Sequence, residues 1–169
     1  MITLKLLTMD DRERLFYFEK ENKYFFESMV PPRPETYNTK HTFNKVIEQL
    51  IDEQNRKKSY FYLIMNNKDD LVGRLNITDI DNEYECGNIG YRIGENYCGQ
   101  GLASKALKQF LLTTPDIPLK CLKAKTTNHN ISSQRVLEKN QFYIVKEDDQ
   151  SFLFNKHHVH FIHFQWDRG

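Results

Sequence analysis

Tyr91-Arg-Ile-Gly-Glu-Asn-Tyr-Cys-Gly-Gln-Gly-Leu-Ala-Ser-Lys-Ala-Leu107 passes from a strand-forming stretch, through a glycine-containing loop, into a helix. Leu102, Ala103, Ala106, Leu107, Phe110 and Leu111 recur at the helical period. The N-terminus of such a helix leaves about four amides unpaired and carries partial positive charge. Glycines let those amides converge on an anion without a Cβ in the way. The dipole alone favours an anion there by ~0.3–2 kcal/mol. The stretch lacks the GxxxxGK[ST] phosphate loop, and Gly99-Gln-Gly-Leu-Ala-Ser104 does not complete the dinucleotide fingerprint GxGxxG. On spacing alone it reads equally as an anion site and as a tight strand–helix corner.

Outward from this segment, both directions give recognisable elements. Upstream, residues 2–7 alternate as a short strand. Thr8, with Asp11 three residues on, starts a helix to about residue 22. Val30-Pro-Pro-Arg-Pro-Glu35 must be a loop, because its prolines remove donors and fix φ. Residues 42–56 place Phe43, Val46, Ile47, Leu50 and Ile51 on one helical face. Residues 59–65, 71–80 and 85–93 form a three-strand meander joined by polar turns at 66–70 and 79–83. Downstream, a helix over 101–112 is followed by a strand at 118–127 and a helix at 131–139. Strands at 142–146 and 159–166 close the chain. Strand runs mixed with α–β crossovers predict an α+β, mixed-sheet domain spanning residues 1–169.

Composition narrows the function. The chain has 169 residues, with 24 lysines plus arginines against 23 acids, so no bulk charge is available to hold nucleic acid. The longest apolar run, Tyr60-Phe-Tyr-Leu-Ile-Met65, is too short to span a bilayer. The N-terminus has no signal-peptide pattern, and a cytoplasmic location is the expectation. Cys86, Cys98 and Cys121 form no CxxC pair, so neither disulfides nor structural zinc are expected. His157, His158, His160 and His163 crowd the last predicted strand, with His158 and His160 on one face and the others opposite. No carboxylate or cysteine lies near them in sequence, so no metal is expected.

Read with its surroundings, the opening segment resembles the coenzyme-A loop of the GNAT acyltransferase superfamily, patterned Gln/Arg-x-x-Gly-x-Gly/Ala. Cys98-Gly-Gln-Gly101-Leu-Ala103 fits at Gly101 and Ala103 and departs at Cys98, a position that contributes mostly its backbone. Ile89-Gly-Tyr-Arg-Ile-Gly94 resembles the family's fourth strand, which splays from its neighbour and pairs with pantetheine. A second match lies in Asn128-His-Asn-Ile-Ser-Ser-Gln-Arg-Val-Leu-Glu-Lys-Asn-Gln-Phe142, similar to the family's Asn-x-x-Ser/Ala…Glu-Lys-x-Gly-Phe element. Its serine form, Asn130 with Ser133, is closest to the Rim-type ribosomal-protein N-terminal acetyltransferases; Gln141 stands where most members have glycine. Asn155-Lys-His-His-Val-His-Phe161 loosely resembles that subfamily's last strand, with His158 where aspartate is common.

The resemblance implies a GNAT fold: a mixed, mostly antiparallel sheet of six to seven strands flanked by about four helices. It implies acetyl-CoA as cofactor, contacted by Tyr91, Arg92, Ile93, Cys98, Gly99, Gln100, Gly101, Leu102, Ala103, Ser104, Asn130 and Ser133. It implies an amine acceptor, first a protein N-terminal α-amine and second a small molecule, and a monomer or homodimer. A non-catalytic acyl-CoA-binding module is the reading from another functional class. Family members often carry a tyrosine seven residues after Asn130; here Leu137 stands there. The subfamily resemblance then gives Ser133 the departing sulfur and Asn130 the pantetheine arm, with a backbone amide near residues 91–93 at the thioester carbonyl. Both also suit helix capping, Asn130 as N-cap and Ser133 at N3.

Glu83 and Glu85 stand where family members often place a base, yet they read more simply as solvated turn acids. An α-amine, with pKa ~7.7–8, is neutral to on the order of a tenth at pH 7, a lysine in well under a thousandth. The lack of an evident base therefore favours an α-amine. The Tyr24-Phe-Phe26 run and the Pro32-Arg-Pro34 loop correspond to a region that lines the acceptor site in the family, or they form a hydrophobic lid. Cys98, close to a helix N-terminus, is a candidate for a lowered pKa.

Overall fold

The structure is a computed structural model describing residues 1–30, 39–113 and 116–169. In chain order it has β1 (Ile2–Leu6), α1 (Arg12–Glu21), α2 (Lys23–Met29), α3 (Lys40–Asn55) and β2 (Tyr60–Asn66). Then come β3 (Leu71–Asp81), β4 (Cys86–Ile93), α4 (Leu102–Thr113), β5 (Cys121–Thr127) and α5 (Ile131–Lys139). Strands β6 (Tyr143–Glu147), β7 (Phe152–Phe154), β8 (His157–Val159) and β9 (Phe161–Asp167) end the chain. Seven strands form one sheet in the order β1-β2-β3-β4-β5-β9-β6, antiparallel throughout except for β4–β5. Strands β7 and β8 make a separate hairpin. Among the described residues no helix is long and apolar enough to cross a membrane.

Alternation along the strands feeds two cores. Ile64, Leu75, Ile77 and Leu122 pack under α4 and α5 with Leu107 and Phe110. On the other face Phe61 and Leu63 meet Leu15, Phe43 and Ile47 of α1 and α3. Each such buried aliphatic contributes ~1.5–3 kcal/mol.

Local signals explain most element ends. The Thr8 amide donates to the Asp11 carboxylate at 2.9 Å, the expected box, although the first turn is 3-10 before α1 begins. Helix α5 has the expected bounds, and Asn130 caps it by accepting from the Ser133 amide at 3.2 Å. It ends with Gln141 at φ 68 and the Phe142 amide returning to Leu137 O at 3.0 Å. That left-handed closure is why glycine suits position 141 in the family's pattern.

Several expectations need correction. Helix α2 and the β7–β8 hairpin were not anticipated, so five helices are described rather than about four. The last predicted strand splits at His160, which breaks the simple two-face division of the histidines. The proline loop expected at 30–35 lies, apart from Val30, outside the described residues. The cysteine expectation fails: Cys86 and Cys121 are disulfide-bonded, with Cα atoms 4.7 Å apart. They are register partners at the start of the parallel β4–β5 pair. The β4–α4–β5 crossover brings together two strand starts separated by 35 positions, which sequence spacing does not reveal.

Candidate functional site

Strand β4 pairs with β3 as far as Ile93↔Gly73, but with β5 only from Cys86↔Cys121 to Asn88↔Lys123. Beyond that point the parallel strands part. A cleft of about 550 Å³ opens between them and passes from the α4–α5 face of the sheet to the α1–α2 face. Residues 89–93 border it, so backbone groups on that edge of β4 have no ladder partner and are available to a ligand.

The anion end is the loop before α4. Gly99 and Gly101 have φ of 78° and 72°, and a Cβ built on either meets nothing within 4 Å. Conformation, not crowding, requires glycine there, and the space above the loop is open. The Lys105 amide is the first to bond within the helix, to Gly101 O at 3.1 Å. The amides of Leu102, Ala103 and Ser104 therefore have no partner in their own helix and face the anion end with the dipole. This arrangement fits the pyrophosphate of a coenzyme-A molecule.

Around this loop the candidate residues separate by task. Cys98, Gly99, Gly101, Leu102, Ala103 and Ser104 line the cleft, whereas Gln100 is exposed outside it. The Ser104 hydroxyl accepts from Asn140 Nδ2 at 3.0 Å and so ties α4 to α5. Cys98 is not activated: burial pushes its thiol up, and the neighbouring Glu95 charge adds to that.

Tyr91, Ile93, Asn130 and Ser133 also line the cleft. The Tyr91 phenol lies 3.2 Å from both the hydroxyl and the carbonyl oxygen of Ser133. Burial pushes that phenol up to about 12, against a smaller opposing effect of its Ser133 hydrogen bond. Leu137 is buried in the core and brings no hydroxyl to the cleft; the phenol beside Ser133 comes from Tyr91 on the opposite wall.

Arg92 follows the alternation of β4 to the other face. Its Nη1 lies 3.5 Å from Glu19 of α1, and its guanidinium stacks 4.7 Å from the Phe26 ring centroid. The same Glu19 receives Arg74 of β3 at 2.5 Å. Arg74, Asn76, Phe25, Phe26 and Lys125 line this end, and of these Arg74, Asn76 and Lys125 were missed from the sequence. Arg74 and Asn76 are polar residues alternating through the otherwise apolar first part of β3, residues 71–77, a pattern that marks a wall rather than a core. Phe25 and Phe26 fall in the aromatic run expected at an acceptor site. Neither Glu83 nor Glu85 lines the cleft; Glu85 pairs with Lys120 at the far end of β4. His160 and His163 meet Glu147 and Asp148, each at 2.8 Å, brought by the strand register rather than by sequence proximity.

The GNAT acetyltransferase domain family matches residues 2–143. An uncharacterised N-acetyltransferase, p20, from Bacillus licheniformis is 21% identical over 142 residues, covering 83% of this chain and 78% of that protein. The solved structure of RimL, a ribosomal L7/L12 alpha-N-protein acetyltransferase in complex with coenzyme A, superposes with a TM-score of 0.86 at 18% identity. It covers 98% of this chain and 93% of that one. A chimeric spermidine N-acetyltransferase, SpeG, from Vibrio cholerae and hSSAT gives 0.78 at 14% identity, covering 98% and 95%. A splayed parallel strand pair, a glycine loop at a helix N-terminus and a family match over most of the length lead to one conclusion: the chain belongs to the GNAT acetyltransferases, with acetyl-CoA as cofactor.

Proposed function

We propose that the chain acetylates a protein N-terminal α-amine. The observation that carries this reading is the absence of any aspartate or glutamate among the described residues lining the cleft. An amine that must be deprotonated by a strong local base would find no carboxylate among those residues. An α-amine, with pKa ~7.7–8, needs only water to take its proton. The likeness to a ribosomal-protein α-amine acetyltransferase agrees with this, while the likeness to a spermidine acetyltransferase keeps a small-molecule amine as the second reading.

Acetyl-CoA supplies an activated carbonyl and a thiol leaving group. The chain's part is to hold and polarise. Amides of residues 102–104 take the pyrophosphate, and the free edge of β4 at residues 91–93 pairs with the pantetheine arm and polarises the carbonyl. Asn130 uses its carboxamide oxygen to cap α5, leaving the nitrogen end to orient the arm. Ser133 donates its hydroxyl proton toward the departing sulfur. A thiol of pKa ~8.5 needs little more than that hydrogen bond.

The test compares a peptide with a free N-terminus against the same peptide blocked there but carrying a lysine. From the neutral fractions the free peptide should turn over roughly 200- to 400-fold faster at pH 7. Equal or faster turnover of the blocked peptide would reject the α-amine assignment.

A further inference from the structure

The Tyr91–Ser133 contact lies on the α4–α5 face of the sheet, and the cleft continues through the sheet to the α1–α2 face. An amine attacking a thioester held from the first side has to arrive from the second. Period-two alternation puts Asn76 on that second face, because Arg74, two residues earlier on β3, reaches Glu19 of α1. Asn76 lines the cleft, and its Oδ1 is buried without a hydrogen-bond partner among the described residues. A buried acceptor that makes no hydrogen bond has given up its hydration with nothing in return. The fold alone does not account for it, and a ligand donor does.

The register partners of Asn76 show where that donor would sit. On the β2 side stands Phe61, buried and packed with α1 and α3. On the β4 side stands Gly90, where a Cβ would meet nothing within 4 Å. The open side is therefore the one toward β4. The last rung between β4 and β5 is Asn88↔Lys123, so the outer edge of β4 has no strand partner from residue 89 on. One strand spacing, roughly 5 Å, separates β3 from the strand assigned above to the thioester carbonyl. A neutral acceptor at this point suits the chemistry. The attacking nitrogen must keep a lone pair for the carbonyl carbon. A carboxamide oxygen accepts one of its N–H bonds without the full charge by which a carboxylate favours the ammonium form.

We infer that Asn76 receives the acceptor's amine, its Oδ1 accepting an N–H while the nitrogen lone pair faces the thioester. This rests on the reading of the cleft as an acetyl-transfer site and names the residue that holds the nucleophile, whichever amine bears it. In the transfer the N–C bond forms and the C–S bond breaks. The sulfur leaves as thiolate toward Ser133, and the nitrogen's surplus proton passes to water.

The experiment measures thiol release from acetyl-CoA by the full chain. The acceptors are a free-N-terminus peptide, the same peptide blocked there but carrying lysine, and spermidine, with kinetics read on the one turned over best. Asn76→Ala should raise that acceptor's KM roughly 2- to 13-fold, the value of one hydrogen bond. KM for acetyl-CoA should stay put, and the melt should be no lower than wild type's, because an unpaired buried oxygen has been removed. Asn76→Asp should move the acid limb of kcat against pH to higher pH, since the new carboxylate favours the ammonium form. Arg74, Arg92, Glu19 and Lys125, the charged groups around the position, are the same in both proteins, so the displacement belongs to position 76. An unmoved acceptor KM in the first variant, or an unmoved limb in the second, overturns the inference. So does a rise of both KM values together with a lowered melt, the mark of a structural residue. A limb moved to lower pH reports the carboxylate taking the amine's proton and equally places position 76 at the amine. The blocked peptide outpacing the free one rejects the α-amine assignment alone. No turnover of any acceptor by the wild type rejects the acetyl-transfer reading itself, and this inference with it.

Discussion

Tyr91→Phe removes one oxygen from the cleft and nothing from its shape. That oxygen lies 3.2 Å from the Ser133 hydroxyl, and burial raises its pKa to about 12. Between pH 6 and 10 it is therefore a protonated donor, able to hold Ser133 so that the serine's own proton points to the sulfur. A hydrogen bond of this kind has a net value of ~0.5–1.5 kcal/mol, which as lost transition-state stabilisation is roughly a 2- to 13-fold fall in kcat. KM for acetyl-CoA should hardly move, because the proposal assigns the arm to β4 and Asn130. Ser133→Ala should cost kcat at least tenfold. The double variant should match Ser133→Ala, since Tyr91 is a positioning residue acting through the serine. Thiol release by both single variants and the double variant across pH 6–10 gives the answer, with thermal melts as the folding control. Losses that multiply would show that Tyr91 acts on its own, and wild-type kcat in either single variant would remove that residue from the mechanism. The raised pKa also carries a sign for stability. The folded state keeps a proton that the unfolded chain, near its ordinary 10, has lost, so stability falls as pH rises from about 10 to about 12.

Two other perturbations test the scaffold. Gly101→Ala forces a side chain into φ 72°, at ~1–2 kcal/mol for the left-handed region, so coenzyme-A affinity measured by calorimetry should drop roughly 5- to 30-fold. Unchanged affinity and stability would show that the loop's amides do not hold the anion. Reducing the Cys86–Cys121 disulfide, or replacing Cys121 with serine, frees a loop spanning 35 positions. Chain entropy values that closure at about 4 kcal/mol, which for a chain of this size lowers Tm by roughly 8–16 °C. Identical melts with and without reductant would contradict it.

What the sequence revealed follows the range of the forces involved. Capping and periodicity act over a few residues, and α5 with its Asn130 cap, the meander and the loop glycines were all legible. Resemblance carried the cofactor end, because an anion held by backbone amides demands glycines at fixed spacing. At the other end only the aromatic run with Phe25 and Phe26 was legible. Arg74, Glu19 and Arg92 come from three elements and meet only through the register of β3 with β4 and the packing of α1. The disulfide was hidden for the same reason, since 35 positions of chain say nothing of a parallel strand start. Helix α2 was missed because Asn22, where the first helix was expected to end, closes α1 and opens α2 at once.

The division of labour between the two faces depends on a single strand's parity. On β4, Tyr91 reaches Ser133 on the α5 side, and Arg92, one residue later, reaches Glu19 and Phe26 on the α1–α2 side. A one-residue slip would exchange these faces, placing a guanidinium beside Ser133 and a buried phenol beside Glu19. The β3–β4 ladder pins that register on one edge, and the Cys86–Cys121 bridge pins the other at the last point before the strands part. The splay that opens the cleft thus begins just beyond the place where the pair is covalently held. Parity thus gives the one gap two unlike walls, Tyr91 with Ser133 on the α5 side and Arg92 with Glu19 on the α1–α2 side, with the unpaired backbone edge of β4 between them.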